Sequence, residues 1–477
     1  MHAILSGTWQ FRIGSEKQVI VLATIQNILK HFGFDRAVSY GILARLWGII
    51  SGPVSILLIA ARFSKEQQGY YYTFSSLLGL QIFFELGLLF VIAQFASHEF
   101  VHLRWCDRGR IEGNPVAIGR FTDLLTNTTI WFGIAALLLV VGLVPAGFYF
   151  FGQAKSGAVD FAWRLPWVLA VFGTALNLLV TPFFAVIMGS GDVVTVNHRE
   201  MVGGIISSFL AWLVIGGHGG LYAVFAATLG NVFISWSYLI RQKPELLRFV
   251  WREIFMSGSA NKKEAALSWW GEIWPIQWRM AISSGSSYFI FQLFNPVLFH
   301  YHGAVVAGQM GMTLTAASVL LGVCSTMINA KSPEFGKLIA VRDWDTLDRW
   351  FSRVLYQSIS MAVMGALCGW GAIWYLQGHH QIGERFIPAS YAAILLATVC
   401  VQIVNSAFAV YLRAHKREPL MVMTIISSIL QGAATWLFGM YYSTLGVAVA
   451  YFSVTTFFIF PYIYIVWKRC QSKWHAA

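Results

Sequence analysis

Charged residues are scarce in this chain. Asp, Glu, Lys and Arg make up only 11% of its 477 residues, while 57% are apolar, whereas a typical soluble domain has about 25% charged residues. So few charges cannot cover the surface of a soluble fold of this length, and lipid must therefore cover much of it. The mean hydropathy of +0.62 and the 16% of aromatic residues are typical of a protein with aromatic belts at two water–lipid interfaces.

Motifs of the common enzyme classes are absent as well. The sequence has no phosphate-binding GxxxxGK[ST] motif, and no HExxH or GxSxG site with hydrolytic partners. Its five cysteines form no CxxC pair and no metal-ligand spacing, which argues against a disulfide framework and a metal site. We therefore predict no enzyme activity, no catalytic residues and no cofactor.

Twelve apolar runs are long enough to cross a bilayer as helices, which takes about 20 residues each. No strand-like alternation is long enough for a barrel. The runs lie near 38–62, 70–96, 122–151, 165–188, 201–216, 219–240, 273–299, 303–330, 351–376, 388–412, 419–441 and 444–467. The sequence thus predicts an all-α, polytopic membrane protein.

Lys and Arg concentrate in alternate loops. If the N-terminus is cytoplasmic, 26 of the 33 Lys and Arg residues lie in segments that face the cytoplasm, 5 lie outside, and the last two, Arg45 and Arg279, lie within helices. This bias follows the positive-inside rule. It predicts a multi-pass protein of the bacterial inner membrane with both termini cytoplasmic, and it explains the net charge of +12 without a nucleic-acid partner.

The chain contains two copies of one six-helix unit. Arg45 is followed by Gly69 after 24 residues, and Arg279 is followed by Gly303 after the same interval. The same order continues in matching tetrapeptides: SHEF at 97–100 and SPEF at 332–335, then IISS at 205–208 and 425–428. A shared order of weak matches indicates duplication. Because each unit has an even number of helices, the copies are parallel repeats, and transporters of this kind place the substrate path between their halves.

The duplication sets the predicted domain boundaries. We expect each copy to form one lobe, with a basic loop between the two lobes. The predicted segments are a cytoplasmic N-terminal segment 1–37, an N-lobe 38–240, a cytoplasmic inter-lobe loop 241–272, a C-lobe 273–467 and a cytoplasmic tail 468–477.

Arg45 and Arg279 occupy equivalent positions of the repeat, about seven residues or roughly 10 Å inside the cytoplasmic end of their helices. An arginine within the hydrocarbon costs about 2.5–3.5 kcal/mol on insertion scales, so it faces a partner or a wet cavity. The alternative is snorkelling to the headgroups. If the two guanidinium groups face each other across the central axis, they suit a pyrophosphate, which arginine binds bidentately.

Three other polar residues lie within the predicted helices. Glu85 is near the middle of the second helix. It is a candidate ion-pair partner for Arg45, a candidate proton or sodium site, or a candidate acceptor for a sugar hydroxyl, and the alternative is a protonated acid that the helix merely tolerates. Gln94 and Asn329 correspond in the repeat, and they either line the path or bond neighbouring helices.

Prolines interrupt two of the predicted helices. Gly52-Pro53 falls in the first helix and Asn295-Pro296 in the seventh. Proline removes an intrahelical hydrogen bond and its ring clashes with the preceding turn, which produces a kink. Each site is a candidate hinge for lobe movement, with a static bend as the alternative.

The stretch from Arg45 through GYYYTFSSLLGLQIFFELGLLFVIAQFASHE (69–99) resembles bacterial polysaccharide-biosynthesis membrane proteins related to Wzx-type O-antigen flippases of the multidrug/oligosaccharidyl-lipid/polysaccharide exporter (MOP) superfamily. The resemblance extends over the whole chain in helix number and duplication. It implies a two-lobed, MATE-like bundle that exports an undecaprenyl-pyrophosphate-linked oligosaccharide to the periplasmic leaflet for lipopolysaccharide synthesis. Family flippases commonly have cationic cavity residues, and Arg45 and Arg279 are the positions that match.

Two other functions stay open. A multidrug or cation antiporter of the same fold would need acidic cavity residues, and one acid, Glu85, against two arginines favours the flippase. The other alternative is a non-transporting scaffold in polysaccharide synthesis. The predicted partners are a lipid-linked oligosaccharide and membrane lipids, with a polysaccharide polymerase or glycosyltransferases as further candidates, and coupling to H⁺ or Na⁺ is left open.

Overall fold

The structure is a computed structural model that describes residues 36–153, 161–255, 268–415 and 419–475. Apart from one small hairpin, these residues are almost wholly helical. The α-helices are α1 Arg36–Arg62, α2 Lys65–Leu78, α3 Gln81–Glu85, α4 Leu88–Glu99, α5 Pro115–Gly152, α6 Arg164–Gly189, α7 Val193–Gly216, α8 Tyr222–Gln242, α9 Pro244–Phe255, α10 Trp274–Phe291, α11 Phe294–His302, α12 Ala304–Ala340, α13 Trp344–His379, α14 Ala389–Ala414, α15 Met421–Ser453 and α16 Phe460–His475.

Short elements complete the described chain. Strand β1 (Leu103–Trp105) pairs antiparallel with β2 (Ile111–Gly113). Single turns of 3₁₀-helix lie at Asp107–Gly109 and Gln381–Arg385, and single turns of π-helix at Trp269–Ile273 and Val454–Ile459.

Polar caps fix where several helices begin. Ser64 and Gln67 form a reciprocal capping box at α2, and Asn114 Oδ1 accepts a hydrogen bond from the Val116 amide at α5 at 2.9 Å. Asp192 and Asp343 cap α7 and α13 in the same way. Because the first backbone N–H groups of a helix lack intrahelical acceptors, these side chains define the loop–helix boundaries that the apolar pattern leaves open.

In the described ranges, nine helices are long and apolar enough to cross a membrane, and the bent pair Lys65–Glu85 and Leu88–Glu99 adds a tenth. The longest of the nine, Met421–His475, is two crossings joined by a turn. A straight helix of its 55 residues would be about 80 Å long. The helix instead breaks at Ser443, with φ 55° and ψ −141°, and the His475 ring returns to 6.3 Å from the ring of His415.

One further crossing is made by α10 and α11 together, with an interruption at Gln292–Leu293. Glu272, just before α10, accepts a hydrogen bond from Arg120 Nη2 at one end of the bundle at 2.6 Å. His302, at the end of α11, contacts the carbonyl oxygen of Gly439 at 2.7 Å at the other end. With this crossing, the described chain passes through the bundle twelve times, and the prediction of an all-α polytopic protein is confirmed.

The loops gather at two opposite ends of the bundle, which we call the Trp105 end and the Lys65 end. At the first, Trp105 Nε1 donates a hydrogen bond to Ser190 Oγ at 2.8 Å, and the Lys243 ammonium lies 3.9 Å from the centre of the Trp105 ring. At the second, Lys65 forms an ion pair with Glu384. Consecutive loops alternate between these ends.

The apolar core shows how the two halves of the chain meet. One cluster of buried residues contains most of the first half and continues into the second half at the Lys65 end, through residues such as Phe299, Met310 and Ile387. A separate cluster, which includes Cys324 and Tyr411, lies wholly in the second half toward the Trp105 end. The halves therefore share a core near the Lys65 end, and at the Trp105 end the first half meets the start of the seventh crossing, where Ile273 is buried in the same cluster and Arg120 binds Glu272. The predicted lobe boundaries themselves stay predictions.

Membrane orientation can be tested by labelling single cysteines. Both Arg104 and Gln381 are exposed, at the Trp105 end and the Lys65 end respectively. In a variant without the five native cysteines, we expect a membrane-impermeant maleimide to label Gln381→Cys in intact cells and Arg104→Cys only after permeabilisation, because the positive-inside rule places the Trp105 end in the cytoplasm. The reverse labelling pattern would contradict the predicted orientation.

Candidate functional site

A cavity of about 440 Å³ lies between α1 and α12. The two helices meet at Gly52, where an added Cβ would lie 2.7 Å from Val319 Cγ2, and the cavity opens beside this contact toward the Trp105 end. Its walls are formed by Arg45, Gly48, Ile49, Ser318, Val319, Gly322, Ser325, Thr326 and Asn329.

Helical spacing brings these side chains to one wall on each helix. On α12, Ser318, Gly322, Ser325 and Asn329 recur every three or four residues and form a polar stripe. Two glycines keep the space open, because a Cβ added at Gly48 or at Gly322 would meet nothing within 4 Å. The cavity therefore results from small and polar residues at helical period in otherwise apolar helices.

Arg45 is the single charged side chain in this lining. It is exposed, and among the residues that the structure describes it has no hydrogen-bond or ion-pair partner. Thr326 Oγ1 donates to the Gly322 carbonyl at 2.8 Å, and Ser318 Oγ donates to the Thr315 carbonyl at 2.8 Å, so these hydroxyls use their hydrogens on the backbone. The donors that remain for a ligand are the Arg45 guanidinium, the Asn329 amide and the Ser325 hydroxyl.

Arg279 lies elsewhere. It is an exposed residue of α10, its guanidinium carbon is 5.5 Å from the centre of the Trp278 ring, and it is outside the lining of the α1–α12 cavity. The next residue, Met280, packs against the second crossing, where a Cβ added at Gly87 would lie 2.7 Å from the Met280 carbonyl carbon. In this conformation the two arginines do not line one cavity, and their joint binding of a pyrophosphate stays a prediction.

Glu85 lies at a break in the second crossing that the sequence did not predict. It ends α3, and Leu86 and Gly87 follow with φ of 49° and 65°, so that the crossing bends by 43°. Trp131 Nε1 donates to the Phe84 carbonyl at 3.2 Å. Within the described ranges, Glu85 is half-buried and has no hydrogen-bond or ion-pair partner, so the ion pair with Arg45 is not formed here. Glycine inside an apolar helical run was the available signal for the break.

Gln94 and Asn329, which correspond in the repeat, also have different surroundings. Asn329 lines the cavity beside Arg45. Gln94 is half-buried on α4 outside that lining, and its backbone carbonyl accepts a hydrogen bond from Ser97 Oγ at 2.7 Å. The role of each in a transport path stays a prediction.

The expected interruption of the first helix at Gly52-Pro53 is wrong, because α1 is continuous from Arg36 to Arg62 with Pro53 inside it. Contacts with α7 support the helix on both sides of the proline. Trp47 Nε1 donates to Ser208 Oγ at 3.2 Å, and Trp212 Nε1 donates to Ser55 Oγ at 2.8 Å. These contacts hold α1 against α7 on both sides of the missing donor.

The seventh crossing does break beside Asn295-Pro296, since α10 ends at Phe291 and α11 begins at Phe294. Asn295 is buried, and its Nδ2 donates to Ser76 Oγ at 3.1 Å, which ties α11 to α2. Hinge movement at either proline site stays a prediction.

At the Lys65 end, the backbones of α2 and α12 nearly touch. A Cβ added at Gly69 would lie 1.9 Å from the Ala304 carbonyl oxygen, and one added at Gly308 would lie 2.8 Å from the Gly69 nitrogen. Any side chain at these two positions would force the helices apart. Gly69 is one of the two repeated glycines, and its counterpart Gly303 immediately precedes the contact.

A group of hydrogen bonds, which we call the Gln68 clasp, joins the halves beside this contact. Gln68 is 1% exposed, and its Nε2 donates to the carbonyl oxygens of Gly308 at 2.8 Å and of Arg385 at 3.0 Å. Arg385 Nη2 donates to the Phe63 carbonyl at 2.6 Å. Sequence reasoning missed the clasp, because most of its acceptors are backbone carbonyls that side-chain patterns do not reveal.

An exposed ion pair between Lys65 and Glu384 lies beside the clasp. The Lys65 ammonium holds the pKa of the Glu384 carboxyl below its usual value. A lowered pKa keeps the carboxylate charged at neutral pH, and the pair is lost only as the pH falls through that lowered pKa.

Comparison with known proteins identifies the fold. No family model and no curated protein matches the sequence. Several solved structures align with over nine-tenths of this chain. They include an inward-facing multidrug resistance MATE family transporter of the MOP superfamily (TM-score 0.61, 13% identity, 92% of this chain and 98% of that chain), the lipid II flippase MurJ in an inward closed conformation (0.60, 13%, 92% and 90%), and the eukaryotic MATE transporter AtDTX14 (0.52, 14%, 92% and 97%).

At these identities the similarity concerns the fold alone. It confirms the predicted two-lobed, MATE-like bundle, and it makes the chain similar to MOP superfamily transporters over nearly their whole length. It does not distinguish a flippase from a drug transporter.

Substitution of Gly69 tests the contact between the halves. We expect Gly69→Ala to lower the free energy of unfolding by about 1–3 kcal/mol, because the new methyl group overlaps the Ala304 carbonyl, measured by reversible denaturation in mixed micelles. Gly142→Ala is the matched control, since a Cβ at Gly142 meets nothing within 4 Å. Equal stability of the two variants would mean that α2 and α12 do not approach this closely.

The Gln68 clasp predicts a shift between conformations. Gln68→Leu removes the two hydrogen bonds that Nε2 donates, worth about 1 kcal/mol each, and the longer one that Oε1 accepts from Arg385 Nη1 at 3.4 Å, so we expect the halves to separate more often at the Lys65 end. We would place spin labels on Ala61→Cys and Gln381→Cys, both exposed, in a cysteine-free background. The share of molecules with the longer distance between the labels should rise by roughly fivefold or more. Gln153→Leu, in an exposed residue away from the clasp, serves as the control, and an unchanged distance distribution for Gln68→Leu would contradict the role of the clasp.

Proposed function

We propose that this chain is a flippase that moves a polyprenyl-pyrophosphate-linked oligosaccharide from the cytoplasmic to the periplasmic leaflet of the bacterial inner membrane by alternating access. One observation is central to this proposal. The cavity between α1 and α12 has Arg45 as its single charged lining residue, and it borders a lipid-facing surface of α1.

The charge of the cavity favours an anionic cargo. Within the part of the chain that the structure describes, the lining contains one arginine and no carboxylate. A guanidinium group that binds a phosphate oxygen bidentately forms some of the strongest hydrogen bonds available to a side chain. A cationic drug would instead meet a like charge, which repels it in a low-dielectric site.

The position of the cavity favours a cargo with a lipid tail. On α1, Leu46 and Ile50 are 47% and 57% exposed, and both are next in sequence to lining residues, Arg45 and Ile49. An apolar chain can therefore stay against the bilayer-facing side of α1 while a polar headgroup enters between α1 and α12. Its hydrocarbon then loses no contact with lipid during transfer.

The arrangement of the halves supports access from one side. They share a core and the Gln68 clasp at the Lys65 end, while the α1–α12 cavity opens toward the Trp105 end. If the Trp105 end faces the cytoplasm, as the charge bias predicts, this conformation receives cargo from the cytoplasmic leaflet. The fold similarity to an inward-facing MATE transporter and to the lipid II flippase MurJ supports the same interpretation.

The sequence resemblance to Wzx-type O-antigen flippases narrows the proposed cargo to an undecaprenyl-pyrophosphate-linked saccharide, and it makes a polysaccharide polymerase or glycosyltransferases candidate partners. Arg45 would hold the pyrophosphate, with Asn329 as a second donor. Arg279 would bind the pyrophosphate as well in a conformation in which α10 has moved toward the cavity. Glu85, half-buried at the break between α3 and α4, is the candidate group for coupling to H⁺ or Na⁺.

A multidrug or cation antiporter is the second candidate function, and Glu85 is the observation that favours it. An acid inside the membrane with no partner among the described residues is a functional-site candidate by default. A non-transporting scaffold would need neither Arg45 nor Glu85.

Substitution of Arg45 separates these functions in cells. In a strain that lacks the gene, we expect Arg45→Gln to lower surface polysaccharide by about tenfold or more and Arg45→Lys to restore part of it, because a guanidinium bound to an anion contributes about 1.5–3 kcal/mol. Arg353→Gln, an exposed arginine of α13, is the matched control. Normal polysaccharide from both Arg45 variants at normal protein levels would remove the proposed site, and drug sensitivity without a polysaccharide defect would favour the antiporter.

Direct binding gives a second test with purified protein. We expect undecaprenyl pyrophosphate to bind the native chain in detergent and to bind Arg45→Gln about tenfold to a hundredfold more weakly, measured by native mass spectrometry. If the cavity belongs to a drug antiporter, a cationic dye would instead bind Arg45→Gln more tightly than the native chain.

A further inference from the structure

A second site lies around α9, on the outside of the first half at the Trp105 end. This helix is amphipathic: Leu246 and Val250 are 0% and 3% exposed and pack against the bundle, while Trp251 is 64% exposed. Helices with this pattern and basic polar faces lie in the interface between headgroups and acyl chains. The position of α9, beside the ends of three membrane-crossing helices, is that interface.

A groove of about 750 Å³ separates α9 from α5, α6 and α8. Its lining is mostly apolar, and its uncharged polar side-chain groups are the Thr129 hydroxyl and the indole N–H groups of Trp236 and Trp251. The bundle contributes Thr129, Ile130, Gly133, Leu179, Phe183 and Trp236, and α9 contributes Leu247, Arg248, Val250, Trp251, Arg252 and Ile254.

The charged residues of the groove are both arginines. Arg248 and Arg252 are one helical turn apart, so their side chains are neighbours on the same face. Both also line a smaller cavity on the other side of α9, of about 390 Å³, which Arg110 borders as well. Glu245 pairs with Arg248 at 2.7 Å, and Glu112 pairs with Arg110 at 3.0 Å. Two guanidinium groups thus lie at the polar edge of a groove that is apolar inside, and Arg110 borders the smaller cavity on the other side of α9.

We propose that this groove binds an anionic diacyl phospholipid from the leaflet at the Trp105 end. Its phosphate would lie at Arg248 and Arg252, and an acyl chain would lie along Ile130, Gly133 and Phe183. Charge complementarity with anionic headgroups is worth about fivefold in affinity for each arginine near the membrane surface. The site is on the outer face of the first half, and it does not depend on the proposed flippase activity.

A peptide from a protein partner fits this groove less well. Every backbone N–H and C=O group placed in a dry groove needs a hydrogen-bond partner. Apart from the arginines, the described lining offers two indole N–H groups and the Thr129 hydroxyl, which already donates to the Leu125 carbonyl at 2.7 Å, too few partners for a peptide backbone. An acyl chain has no such groups. The combination of an apolar interior and a cationic edge therefore favours a lipid with a negative headgroup.

Headgroup selectivity tests the arginines. We expect the purified full-length protein to bind phosphatidylglycerol about thirtyfold more tightly than phosphatidylcholine with the same acyl chains, and Arg248→Gln with Arg252→Gln to remove this preference, measured by native mass spectrometry. The control pair, Arg349→Gln with Arg353→Gln, has the same spacing on α13 of the other half. Equal binding of the two lipids, or an equal loss in both double variants, would overturn the proposal.

Filling the groove tests the acyl-chain site independently of charge. A Cβ added at Gly133 or at Gly142 meets nothing within 4 Å, so both positions of α5 accept a side chain, but only Gly133 lines the groove. We expect Gly133→Phe to weaken phosphatidylglycerol binding at least tenfold and Gly142→Phe to leave it unchanged. Equal binding by the two variants would show that the lipid occupies some other surface.

Discussion

The close contact between α2 and α12 at the Lys65 end is the constraint on which the rest of the structure depends. Gly69 and Gly308 let the two backbones touch, and the buried Gln68 amide donates to the backbone carbonyls of Gly308 and Arg385. In an apolar surrounding such groups are costly to leave unpaired, so the two halves are held together at this end. Because they are joined here, the space between α1 and α12 opens toward the other end, and a polar cavity can exist inside a protein covered by lipid.

Much of the fold could be predicted from the sequence because a bilayer leaves few choices. Backbone groups in lipid must bond within helices, so apolar runs and basic loops were enough to predict all twelve crossings. Sequence alone could not predict contacts between distant helices. Trp47 and Trp212 bond to serines on the facing helix on both sides of Pro53. At the break beside Glu85, the Phe84 carbonyl accepts a hydrogen bond from Trp131, which lies 47 residues along the chain.

The sequence pointed to some residues of the candidate site and not to others. Arg45 on α1 and Asn329 on α12 lie on facing walls of one cavity. Arg279, the repeat partner of Arg45, lies instead on α10, with its guanidinium group over the Trp278 ring. The two halves thus share helix order but differ in the chemistry of equivalent positions. Such divergence after duplication suits a transporter whose cargo is itself asymmetric, with a charged headgroup at one end and a hydrocarbon chain at the other.

The bend in the second crossing has a mechanical consequence. The segment α2 is fixed to α12 by the glycine contact, while α4 begins after two left-handed residues, Leu86 and Gly87, and packs beside α10. Because α4 also packs against α6, where a Cβ added at Gly189 would lie 2.2 Å from the Ala93 carbonyl oxygen, rotation about these two residues would move α4 together with α6 and α10, while α2 keeps its contact with α12. Closure at the Trp105 end can then begin before the contact at the Lys65 end releases, which is the sequence of events that prevents a continuous leak along the bundle.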